Sequence, residues 1–143
     1  MTDASLTKAR VLRERGFYLT TPTGHSMRPF IRADRDQVLV RPLRGRAGRG
    51  DVLLYENTRG EQVLHRVIRR VEGGYLIRGD ACYTDETVPE DAVLGRAELL
   101  YRGDREIPLL RSLPHRIAVR LWMWAYPLRR AVNRIRRRRK KSG

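Results

Sequence analysis

The sequence predicts a mainly β, antiparallel domain with a short helix before it and an amphipathic helix after it. Three observations predict this class. Short runs of β-favouring residues recur from Phe17 to Gly103: FYLTT, QVLVRPL, DVLLYEN, VLHRVIRRV, GGYLIRGD and AVLGRAELLYRG. Clusters rich in Gly, Pro and Asp separate them, as turns separate antiparallel strands. Beyond residue 106 the apolar period changes from that of a strand to that of a helix. The 143 residues suit one domain with tails.

The elements follow in order. Residues 1–15 hold ASLTKARVLRER, a short helix that Gly16 ends. Leu6, Ala9, Val11 and Leu12 give it a partial apolar face. Residues 16–106 form the β domain, and no fixed-period repeat runs through it. Residues 107–143 form a basic tail. Pro114 suits a first helical turn after Ser112. Ile117, Leu121, Trp124, Leu128, Val132 and Ile135 recur at helical spacing on one face, and arginines fill most of the rest. Pro127 is expected to kink or break this helix near its middle. The final RRRRKKSG is expected to be solvated and disordered.

Charge is divided unevenly. The chain carries +15, of which residues 107–143 supply +12 without a single acid. The first 106 residues are close to balance, at +3. One cysteine, Cys82, excludes an intramolecular disulfide and a small secreted disulfide scaffold. No stretch approaches the roughly 20 apolar residues of a spanning helix, and the N-terminus lacks the apolar core of a signal peptide. A cytoplasmic location, or a peripheral one at the cytoplasmic membrane, is the expectation. Lysine occurs only at positions 8, 140 and 141. Arginine does not give up its proton, so a general base in the central region must be a histidine or a carboxylate.

Four segments carry chemistry together: GHSMRPF at 24–30, DRDQVLV at 34–40, GDVLLYEN with VLHRVI across 50–68, and YLIRGDACYTDE at 75–86. In order and spacing they resemble the type I signal peptidase family and its relatives, the SOS-repressor peptidases. The resemblance covers about residues 16–100 and implies a signal-peptidase-like β domain. The Ser-Met-x-Pro element is its most specific part. Ser26 then matches the nucleophile. His65, before Arg66 and Val67, stands where many bacterial members have lysine, as in the endoplasmic-reticulum and sporulation-type branch. Asp80 matches the acid of the Gly-Asp element. Asp85 matches a second acid that orients the base, with the adjacent Glu86 an alternative. Ser26 N–H is the natural oxyanion donor. Gly24 stands where some members supply a hydroxyl, so Thr23 or a backbone group takes that part. The resemblance places Met27 beneath the nucleophile, shaping the pocket for a small residue, and implies an extended peptide substrate.

This set is chemically coherent. A serine hydroxyl needs a base, neutral imidazole serves near pH 7, and an acid on its other nitrogen fixes the tautomer. The expected function is therefore serine endopeptidase processing of a precursor or leader peptide, without a cofactor. The alternative is a non-catalytic membrane- or nucleic-acid-binding adaptor that keeps the peptidase fold. His25 reads as a surface or cleft residue and His115 as structural. The three histidines show no ligand spacing, so no metal site is expected. Asp34, Asp36 and Asp51 read as turn and strand-end residues, and Arg78 is expected to pair with a loop acid. The SOS-repressor branch fits less well, since it uses lysine as base and some 20 residues before the motif are too few for a helix-turn-helix domain. In the tail, Trp122 and Trp124 beside arginines favour a helix lying in an anionic membrane interface. Packing on the domain is the plainer reading, and nucleic acid is the least favoured partner.

Overall fold

Local chemistry sets the first element. Thr2 caps a helix, α1 (Asp3–Arg15), by accepting from Ser5 N–H, and Gly16 closes it in the left-handed conformation at φ 77°. Glu56 holds the cap from outside, accepting from Thr2 N–H at 2.9 Å and from Thr2 Oγ1–H at 2.9 Å. The computed structural model describes all residues 1–143.

Eight strands follow: β1 (Tyr18–Thr20), β2 (Asp36–Arg41), β3 (Val52–Glu56), β4 (Gln62–Val71), β5 (Gly74–Arg78), β6 (Glu86–Pro89), β7 (Val93–Arg102) and β8 (Arg105–Pro108). They form one antiparallel sheet in the order β1-β2-β7-β3-β4-β5-β6, with β8 added on β7. The mainly β, antiparallel class read from the sequence is thus the observed one. Each of the six expected strand runs contains a strand. The β6 and β8 strands are additional, and Leu109 beyond β8 is buried in the core, so the β domain extends a few residues past 106.

The VLLY run of β3 shows why the sheet is stable. Val52 and Leu54 enter one apolar cluster with Leu12, Met27, Val38 and Leu100. Leu53 and Tyr55 enter a second, with Val67, Tyr75, Ile77 and Val88. A strand buried on both faces needs a continuous apolar run rather than alternation.

The tail is two helices, α2 (Leu113–Trp124) and α3 (Tyr126–Lys141), meeting at Ala125. Pro127 falls in the first turn of α3, where its missing N–H costs nothing. The break therefore lies two residues before the proline. RRRRKK is helical through Lys141, contrary to the expected disorder. Arginine and lysine are good helix formers, and cations suit a helix C-terminus. No helix of the chain is long and apolar enough to cross a membrane.

Candidate active site

The loop between β1 and β2 carries Ser26. Met27 is buried in the first core cluster, and its carbonyl accepts from Phe30 and Ile31 N–H, which fixes the turn. Ser26 O accepts from Ala81 N–H at 2.8 Å. That bond ties the loop to the segment after β5. The Ser26 hydroxyl then lies 3.0 Å from His65 Nε2.

His65 is positioned by β4. Its register pairs it with Leu53 of β3 and places Tyr55 two pairs further along, on the same face. Tyr55 Oη lies 3.1 Å from His65 Nδ1, and Tyr55 O–H donates to Glu86 Oε2 at 2.8 Å. The phenol proton is committed to Glu86, so Nδ1 carries the imidazole proton and donates to Tyr55. Nε2 is left with its lone pair toward Ser26. Burial and then the Glu86 side chain push the Tyr55 phenol well above its ordinary range, so it keeps its proton. Burial also lowers the His65 pKa, against the opposing pull of Glu86 and Asp80, which keeps the ring neutral at pH 7.

The two aspartates read as orienting acids are engaged elsewhere. Asp80 is buried and accepts two 2.7 Å bonds from Arg66 Nε and Nη2. Arg66 Nη1 donates to Gly50 O. Asp85 is paired with Arg78, so the expected partnership of Arg78 with a loop acid is present. Neither carboxylate makes a hydrogen bond to His65. Glu86 reaches the base, and does so through Tyr55. The sequence offers one signal for Tyr55: a tyrosine inside an apolar, doubly buried strand needs a partner for its hydroxyl.

Gly79 lets these parts meet. A Cβ there would lie 2.8 Å from Ser26 O, 3.0 Å from His65 Nε2 and 2.7 Å from Cys82 Sγ. Cys82 is half-buried, and burial raises its thiol pKa, which keeps it protonated and unreactive. Gly24 adopts φ 73° at the groove rim, and Ser26 N–H donates to no other group of the chain. A groove of about 650 Å³ opens beside the serine, lined among others by Thr21, Thr23, Gly24, Met27, Leu64 and Ile77.

The remaining residues read from sequence are placed as follows. His25 is exposed. His115 stacks edge-on against Phe30. Asp36 is buried between Arg35 and Arg102, and Asp51 accepts from Gly48 N–H. No group of histidine, cysteine and acidic side chains is disposed to hold a metal. Trp122 faces the domain and donates from Nε1 to Asp80 O at 2.8 Å, whereas Trp124 is exposed.

The site is thus a serine–imidazole pair with the buried Tyr55 and the half-buried Glu86 carboxylate behind it, set beside a groove in a β sheet. No protein-family model matches the chain, and no curated protein matches it.

Proposed function

We propose that the chain is a signal-peptidase-like serine endopeptidase that cleaves a precursor or leader peptide. The observation that carries this reading is the 3.0 Å contact of Ser26 Oγ with the Nε2 of a half-buried imidazole whose other nitrogen is held by Tyr55. Ser26 Oγ attacks the scissile carbonyl as its proton passes to His65 Nε2. The Nδ1–H bond to Tyr55, backed by Glu86, holds the ring through its charged state. Ser26 N–H is free to donate to the developing oxyanion. His65 then returns the proton to the departing amine, and water repeats the sequence on the acyl-enzyme.

An extended peptide suits the groove, since a strand lying beside a sheet offers main-chain bonds along its length. The four-segment resemblance adds a preference for small side chains at the cleavage position. The test is digestion of a peptide library with Ala and Gly at varied positions, read by mass spectrometry. Wild type should cut after small residues. Ser26→Ala and His65→Ala should each lower the rate by at least about a thousandfold while remaining folded. Equal cleavage by either variant would remove the assignment.

A further inference from the structure

We propose that α2 and α3 form a docking surface for an anionic phospholipid bilayer, lying in its plane with one apolar stripe inserted. The two helices present different faces. Val119, Trp122, Met123, Tyr126 and Arg129 turn toward the domain and are buried or half-buried. Trp122 Nε1 donates to Asp80 O, Tyr126 O–H to Tyr83 O, and Arg129 to both Asp80 O and Trp122 O. The Arg129 guanidinium also stacks 3.9 Å from the Trp122 ring. These bonds fix the rotation of the pair.

With that face committed, the opposite one is left bare. Leu113, Ile117, Leu121, Trp124, Leu128, Val132 and Ile135 are all exposed, Trp124 to 80%. Their spacing of three and four residues carries one stripe across the Ala125 junction. A stripe of this extent has no partner in the chain, and exposed apolar surface of this size marks an interaction site.

Charge selects the occupant. Arg116, Arg120, Arg130 and Arg134 lie along one flank of the stripe on the helical period, and the basic run 136–141 follows. Arg49 of the domain joins Arg116 and Arg120 around the depression beside Leu113, Ile117 and Trp124. The tail holds no acid. A second copy would bring two +12 tails together, which disfavours self-pairing. A nucleic acid would satisfy the arginines and leave the leucine and tryptophan stripe in water. An anionic bilayer satisfies both: headgroup phosphates take the arginines and the acyl boundary takes the stripe.

The experiment is co-sedimentation of the full chain with vesicles of phosphatidylcholine, with and without about one-third phosphatidylglycerol. Binding is expected to the mixed vesicles, to fall by at least about tenfold in high salt, and to be weak on pure phosphatidylcholine. In a Trp122→Phe chain, Trp124 emission should shift to the blue on mixed vesicles. The triple variant Leu121→Asp, Trp124→Asp, Leu128→Asp changes only exposed positions and should fold with an unaltered circular dichroism spectrum. It should bind the mixed vesicles at least about tenfold more weakly. Wild-type binding retained by that variant, or Trp124 emission that does not move, would overturn the proposal. So would a vesicle-free dimer that the variant abolishes, or RNA binding in a chain that ignores vesicles.

Discussion

His65 suits the base of the proposed peptidase because two effects oppose each other on one ring. Burial withholds the charge from it, while Glu86 and Asp80 favour that charge less strongly, so its pKa falls below the ordinary histidine value of 6.5. In the proposed peptidase the neutral ring is the active form. Cleavage should therefore rise with pH through an inflection below 6.5 and stay level above it. An inflection above that value, measured on kcat/KM, would contradict the burial argument. The bond behind the ring gives a second prediction. Tyr55→Phe leaves the half-buried ring's Nδ1–H without this acceptor and frees the ring to turn. It should lower kcat by more than about tenfold with little change in KM, and Glu86→Gln should shift kcat in the same direction. Asp85→Asn, which breaks only the pair with Arg78, should leave kcat within about threefold. Equal losses in Asp85→Asn and Tyr55→Phe would return the orienting role to the aspartate. The meeting of Ser26 with His65 was readable because the Ser-Met-x-Pro and His-Arg-Val segments are local. The contacts of Tyr55 with His65 and Glu86 were not, because they depend on the β3–β4 register and on how the loop after β5 folds back.

The pairing of elements explains what else the sequence did and did not disclose. Six strand runs are apolar enough to stand out. ETVP of β6 and REIP of β8 are four residues each, polar and proline-bearing, and join the sheet only because β5 and β7 already offer edges. The helical period of the tail was legible, but its attachment was not, since that rests on main-chain carbonyls at Asp80 and Tyr83. The attachment has a consequence for the site. Residues 79–82 contact α2 on one side and Ser26 O on the other through Ala81 N–H. Trp122→Ala removes the bond to Asp80 O, the edge contact with Phe30 and the seat of Arg129. It should cost about 2–4 kcal/mol in urea unfolding and lower kcat as the loop loosens. Full activity in a destabilised Trp122→Ala chain would show that the tail supports the fold and leaves the serine untouched.

For the whole molecule, acid should weaken the fold before Asp36 is titrated. Two histidines are held neutral. His65 is lowered by burial. His115 is lowered by burial and then by the Arg66 charge, with Arg102 adding to it and Asp80 opposing. In the unfolded chain both return to about 6.5. As pH falls below that value the unfolded chain binds protons that the folded chain refuses, so stability is lost with falling pH until the folded pKa values are passed. Asp36 acts lower. Asp36, whose desolvation is outweighed by bonds from Arg102 and Arg35, has a pKa below its ordinary 3.8. Its contribution is lost only in stronger acid, and the window from about pH 7 to about pH 5 belongs to the histidines. The urea midpoint should therefore fall between about pH 7.5 and about pH 5.5. His115→Gln, which keeps a polar side chain at the Phe30 contact and leaves the serine–imidazole pair alone, should remove part of that slope. The remainder should follow the same inflection as the cleavage rate, because one ring sets both. A midpoint that does not change over this range would mean that neither histidine is kept neutral by the fold, and the argument for His65 as a base poised at neutral pH would lose its physical ground.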